Sequence, residues 1–329
     1  ALQTLAQQQG ETLTALAPVN SPEKLTGAQA TTTLTVTGTT SIGSLAWLPR
    51  LKTLTISGCE HLDLTGLAAH PSLETLTLVN CAAPDLRPLA ACPKLRSLTL
   101  TQNREGMATD VVDLAPLAEC ARLSSLGLSG VRMTGLEALA TAPRLTNLSL
   151  EGLQGADVRA LAKAQGLKTL RLFGASGDSL AVALAGLPRL EGLWLGDCDL
   201  TADANAALWK CTRLKNLGLT RVNGVSADAA GWARLKSLTS LTMEGGALDG
   251  LAFLAPMTST TVVRLTGIAV GDTAALCTVD FDKYFITLTD VPAAETLPIL
   301  TAAKRQWNYA ALLSGKDEIT AEQVTALST

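Results

Sequence analysis

The sequence predicts an α/β repeat stack. The expected form is a right-handed solenoid, or horseshoe, with a parallel β-sheet on its concave side and short helical turns on its convex side. Three observations carry that expectation. A pattern Leu-x-x-Leu-x-Leu recurs through most of the chain at steps of 22 to 28 residues. A second set of large apolar residues stands at fixed distances before each copy. Aspartate and proline punctuate the segments between. A single unit of this kind cannot bury its own apolar edge, so neighbours must stack.

The strands come first. Copies lie at Leu51-Leu54-Ile56, Leu73-Leu76-Leu78, Leu95-Leu98-Leu100 and Leu123-Leu126-Leu128. They continue at Leu145-Leu148-Leu150, Leu167-Leu170-Leu172, Leu190-Leu193-Leu195, Leu214-Leu217-Leu219 and Leu238-Leu241-Met243. Degenerate copies precede them at Leu34-Val36 and follow at Val263-Leu265 and Ile286-Leu288. The last two apolar residues of each copy alternate with other positions, the period of a strand with one buried face. One step, from Leu95 to Leu123, is 28 residues and not 22. Its extra residues, within 102–110, lack a Leu-x-Leu pair and are expected as a mobile loop.

The turns between strands repeat as well. Six residues before each strand leucine sits another large apolar residue, among them Leu45, Leu67, Leu89, Leu117 and Leu139. Asp63, Asp85, Asp113 and Asp157 precede the apolar residue three positions earlier still. Each of these carboxylates can accept a backbone N–H and open a short helical turn. Pro49, Pro71, Pro93, Pro143 and Pro188 end the turns and return the chain to extended geometry. With strands about 4.8 Å apart, about twelve turns give an arc of about 60 Å.

Three segments follow. Residues 1–30 lack the motif and are expected to form an N-terminal cap of helix and loop. Residues 31–290 form the array. Residues 291–329 are expected as a helical C-terminal cap, with helices over 293–307 and 320–327. Thr320-Ala321-Glu322-Gln323 opens the second as a capping box.

The stretch from Asp85 to Leu100 reads Asp-Leu-Arg-Pro-Leu-Ala-Ala-Cys-Pro-Lys-Leu-Arg-Ser-Leu-Thr-Leu. It resembles the 22-residue leucine-rich repeats of the internalin and SDS22-like class, and the resemblance covers residues 31–290. That class favours asparagine three residues after the last strand leucine. Here the position holds Cys59, Cys81, Asn103, Val131, Leu153, Ala175, Cys198, Val222 and Gly246, so the asparagine ladder is mostly absent. The resemblance implies a bacterial recognition module.

Composition narrows the chemistry. The 329 residues are 47% hydrophobic and 17% charged, which favours a large core over disorder. A net charge of -3 gives no overall field for nucleic acid or an anionic membrane. No apolar run reaches the length of a membrane helix, so membrane insertion is not expected. The chain begins at Ala1 without a basic segment followed by an apolar one. A removed leader and a cut boundary both fit that start. The seven cysteines fall on repeat positions without chelating spacing. They read as small buried residues, with stacked thiols for metal or redox chemistry as the sharper alternative. Unpaired thiols favour a cytoplasmic location, with secretion or delivery to a host as the alternative. His61 and His70 are the only histidines and fall in convex segments, His70 at the place of Cys92 one repeat later. Neither a catalytic triad nor a cofactor motif is present, so no enzyme activity and no cofactor are expected.

The outward column of the concave face is mostly threonine, serine and glycine. It breaks at Arg171 and Trp194. Phe173 stands in the next column, Arg221 nearby, and Glu151 and Glu244 on either side. Exposed Trp, Phe and Arg together compose a binding hot spot, or else rings that merely pack on one another. The expected function is recognition of a protein partner by a monomeric, non-enzymatic scaffold. The alternative is a targeting module for a catalytic part outside this chain.

Overall fold

The structure is a computed structural model that describes residues 6–9, 12–16, 30–38, 45, 48–59, 62–82, 84–103, 111–248, 252–270 and 285–289. It divides into two compact units. Unit 1 comprises Ala1–Leu153 with Lys163–Leu167, and unit 2 comprises Gln154–Ala162 with Lys168–Thr329.

In unit 1, β3 (Thr33–Thr37), β4 (Thr53–Ser57), β5 (Thr75–Val79), β6 (Ser97–Thr101), β8 (Ser125–Ser129) and β10 (Asn147–Ala156) pair in parallel, each with the next. The register aligns Leu34, Leu54, Leu76, Leu98, Leu126 and Leu148 in one buried column, as the repeat spacing requires. A slip by one residue would turn this column to solvent, which is why the register is firmly specified. Two short strands, β7 (Val111–Asp113) and β9 (Arg132–Thr134), form a separate parallel pair.

The helical turns of unit 1 are brief: Thr65–Leu67, α1 (Arg87–Ala90), Ala115–Glu119 and Leu136–Ala140. The expected aspartates open three of them. Asp63 accepts the Thr65 N–H at 2.8 Å, Asp85 that of Arg87 at 3.0 Å, and Asp113 that of Ala115 at 2.9 Å. Leu67, Leu89, Leu117 and Leu139 point from these turns into the core.

A second column ties turn to turn. The His70 ring shares a hydrogen bond with the Leu45 carbonyl at 3.3 Å. One repeat later the Cys92 thiol donates to Leu67 O at 3.1 Å, and Cys120 then donates to Leu89 O at 3.6 Å. Thiols and an imidazole thus satisfy buried carbonyls from the preceding repeat. Where the missing asparagine ladder would run, Cys59 and Cys81 are buried and donate to strand carbonyls at 3.6 Å.

The N-terminal segment differs from expectation. Its described residues are two antiparallel strands, β1 (Ala6–Gln9) and β2 (Thr12–Leu16), and β2 pairs in parallel with β3. The alternation Thr12-Leu13-Thr14 suits a strand edge better than a helix. The insertion at 104–110, His61, Cys277 and the helices expected after residue 290 lie outside the described residues.

In unit 2, β11 (Thr169–Ala175), β12 (Gly192–Asp199), β13 (Asn216–Asn223), β14 (Ser240–Glu244), β16 (Val262–Thr266) and β18 (Phe285–Thr289) pair in parallel, each with the next. β15 (Ala247–Leu248) and β17 (Ala269–Val270) pair separately. From Leu167 to Leu238 the repeat steps are 23 or 24 residues, and the added length goes into longer helices, α2 (Gly177–Ala185) and α3 (Ala202–Leu208). α4 (Ala229–Trp232) follows, opened by Asp228, which accepts the Ala230 and Gly231 N–H groups. Behind them Trp232 packs between Trp209 and Phe253, with ring centroids 4.9 and 4.7 Å apart. Its indole N–H donates to the Ser226 carbonyl at 2.8 Å, so the buried ring leaves no orphan donor.

Candidate functional site

Strand pairing in unit 2 sets three outward columns side by side. The middle one reads Arg171, Trp194, Gly218, Thr242 and Arg264. The column toward the strand ends reads Phe173, Gly196, Thr220, Glu244 and Thr266. Gly192 lies in the third, opposite Thr169 and Asn216.

The aromatic rings lie down on this surface. A β-carbon at Gly192 would meet Trp194 Cζ3 at 2.6 Å and Cη2 at 2.9 Å. One at Gly218 would collide with Cδ1 on the other end of the same ring. The indole therefore spans both glycines and is half-buried. Phe173 occupies the space above Gly196 in the same manner. The Arg171 guanidinium lies 5.5 Å from the Trp194 ring centroid and 5.9 Å from that of Phe173. It reaches both rings within cation–π range. The structure thus brings Arg171, Phe173 and Trp194 together as one seated cluster.

Arg221 sits elsewhere in the pattern. It pairs with Asp197 of the neighbouring strand through two charge-assisted hydrogen bonds, Nε to Oδ1 at 2.6 Å and NH2 to Oδ2 at 2.8 Å. Those bonds hold the Asp197 carboxyl below its ordinary range and push the Arg221 guanidinium up. Both residues have φ of +50°. At the same repeat position Gly58, Gly130, Gly152, Gly174 and Gly245 also have positive φ. Arg221 and Asp197 thus hold a conformation that glycine adopts without cost. Asp197 had no place in the sequence-derived site. Its signal was available, since 197 and 221 are one 24-residue step apart and carry opposite charges at a position that is mostly glycine.

Glu244 is exposed on β14 beside Thr220. Glu151 belongs to unit 1, where it is half-buried and accepts from Ser129 Oγ at 3.1 Å and Ser149 Oγ at 3.5 Å.

The six described cysteines are free and buried. Burial pushes the thiols of Cys81 and Cys198 up to about 12, and those of Cys120 and Cys211 up to about 11. A thiol so disfavoured as thiolate is a poor nucleophile. Among the described residues no group of three His, Cys, Asp or Glu could hold a metal ion. Among them, too, no helix is long and apolar enough to cross a membrane.

No family model matches the sequence. No curated protein matches it either. Among solved structures the chain is similar to an internalin, InlF, of Listeria monocytogenes, at 20% identity and TM-score 0.56 over 79% of this chain and 82% of that one. An internalin C2 of the same species aligns at 25% identity and TM-score 0.44, over 55% of this chain and 77% of that one. The fold assignment rests on the former together with the register of the strands. By its repeat and its strand register, the chain has the leucine-rich-repeat fold.

Proposed function

We propose that this chain is a recognition scaffold that binds a protein partner through the outward face of the sheet in unit 2. The observation that carries the proposal is the seating of Trp194 across Gly192 and Gly218 beneath the Arg171 guanidinium. A large ring already fixed on a rigid sheet loses little entropy on docking, which is the property of an interface anchor. Small neighbours such as Thr242 and Thr220 let a partner approach the strands closely beside the ring. Phe173 extends the apolar area, while Glu244 and the Arg221–Asp197 pair supply a polar rim.

The test is quantitative affinity capture with the wild-type chain, Trp194→Ala, and Thr77→Ala, which lies in the same column position of unit 1. A partner held by the wild type and by Thr77→Ala should bind Trp194→Ala about 30-fold more weakly, a loss of about 2 kcal/mol. Circular dichroism should show both variants folded. If every captured protein binds Trp194→Ala as tightly as wild type, the patch is not the interface.

A further inference from the structure

Charge is segregated between the two edges of the sheet, which the net charge of -3 conceals. In unit 1 the residue after the first leucine of each repeat stands in a hydrogen-bonded column. Lys52 N donates to Thr32 O, Glu74 N to Lys52 O, Arg96 N to Glu74 O and Ser124 N to Arg96 O, each at 2.8 Å. These positions are therefore stacked at the edge where the strands begin. Two residues earlier, in the same edge, stand Arg50, Lys94, Arg122 and Arg144. All six of these cations are exposed. Of the acids on this edge, Glu74 lies 3.9 Å from Lys52, and Glu119 is the other. The edge where the strands end is the more acidic one, with Asp63, Asp85, Asp113 and Glu137 exposed, against Arg87, which pairs with Asp85 at 2.6 Å, and Arg132. Unit 2 has Lys168, Arg189, Arg213 and Lys215 at its own leading edge, with Glu191 in the same column bonded to Lys215 at 2.8 Å.

We propose that the basic edge of unit 1 binds a linear anionic polysaccharide, one bearing sulfate or uronate groups along its length. Lys94 with Arg96, then Arg122, then Arg144 lead into β6, β8 and β10, which are successive paired strands. They form a row of positive charge stepping by about 4.8 Å. Such a row matches a chain whose anions recur sugar by sugar. Guanidinium forks suit planar carboxylates and sulfates through paired hydrogen bonds. Two other polyanions fit less well. Among the described residues this edge has no exposed aromatic ring to stack unpaired bases, and no helix in unit 1 exceeds five residues to enter a duplex groove. A lipid surface would favour an apolar insertion beside the charges. The exposed large apolar residues described, Val111 and Val182, are on β7 and α2 and not on this edge.

The experiment uses heparin as the probe, titrated against the whole chain at rising salt. Wild type should bind with an affinity that falls linearly on a log–log plot against salt, through counterion release. Lys94→Glu/Arg122→Glu/Arg144→Glu should lose about tenfold or more and show a shallower salt slope. Arg132→Glu, the same single charge change on β9, should bind like wild type, whereas Arg122→Glu should not. Trp194→Ala should also bind heparin like wild type, which separates this edge from the docking face of unit 2. The proposal is overturned if wild type does not bind heparin at low salt, or if Arg132→Glu weakens binding as much as Arg122→Glu. It is equally overturned if duplex DNA or anionic lipid vesicles bind more tightly than heparin at the same salt.

Discussion

Gly218→Ala tests the seating of the Trp194 ring. The new β-carbon would lie 2.8 Å from the indole Nε1 and inside contact distance of Cδ1. The three nearest atoms all belong to Trp194, so the backbone does not obstruct the methyl group. Gly218 is not among the positive-φ glycines, so alanine fits the strand backbone. The indole has to lift. Lifting it forfeits a cation–π contact worth about 0.5–1 kcal/mol at an exposed site. Alanine returns about 0.4–1 kcal/mol by narrowing the unfolded ensemble. The two nearly cancel, so stability should change by less than about 1 kcal/mol. The adjacent core residue gives the contrast. Leu217 is 2% exposed, and Leu217→Ala should cost about 3–5 kcal/mol. Thermal melting compares the two variants. Acrylamide quenching reads the ring, with Trp194→Phe as the subtraction that isolates Trp194 among five tryptophans. The expected result is near-wild-type melting with a more readily quenched Trp194. A Gly218→Ala melt as low as that of Leu217→Ala would place the ring in the core, and unchanged quenching would mean that it does not rest on Gly218.

The thiols give a second prediction. In the folded chain the six described cysteines should not react with a thiol reagent at mildly alkaline pH. Denatured without reductant, the chain should titrate as seven thiols, and a single reactive thiol would mean that the rest are paired. The third concerns His70, whose Nδ1 accepts the Ser72 N–H while its other nitrogen faces the Leu45 carbonyl. Burial lowers its pKa below 6.5, so the unfolded chain takes up a proton first. Its contribution is fully present above the unfolded value of 6.5 and is lost as pH falls toward the folded value. Melting temperature followed downward from neutral pH should drop for wild type and be flatter for His70→Gln; parallel curves would refute this.

The strand register was legible because a stacked repeat translates sequence spacing directly into spatial column. Leu148 falls opposite Leu126 and Leu170 opposite Leu193, as the spacing requires. The aspartate turns were legible for the same reason, since their chemistry is local. The first segment was misread because Thr12-Leu13-Thr14 is too short to outweigh its uninformative flanks. At the candidate site, spacing located Arg171, Phe173 and Trp194 on neighbouring strands but could not say where their rings point. Glycines at 192, 196 and 218 marked free space without revealing that the rings fill it. Glu151 was grouped with that cluster by its column, and Arg221 by its nearness in the repeat. In the structure Arg221 engages Asp197, and Glu151 is held by serines of unit 1.

Departures from a column carry different information according to whether the fold gains by them. Cysteine in place of asparagine is a gain the core itself explains, since Cys81 is buried and its thiol still reaches strand carbonyls. Arg221 is another matter. A left-handed conformation costs a residue with a β-carbon about 1–2 kcal/mol, and Asp197 beside it, whose short polar side chain tolerates this region, bears less. The exposed pair between them returns at most about 1 kcal/mol, because solvent and side-chain entropy erode it. Glycine at both positions, as at Gly174 and Gly245, would leave the folded chain at least as stable. Packing does not favour the pair over glycine, although Asn80 holds the same repeat position in unit 1 with φ of +52°. The pair flanks Gly196 and Thr220 on β12 and β13, the strands that also carry Trp194 and its glycine seat. The strained pair and the Trp194 ring thus share β12, with Gly218 of the ring's seat on β13 beside Arg221, which is the placement a polar rim next to an anchor would have.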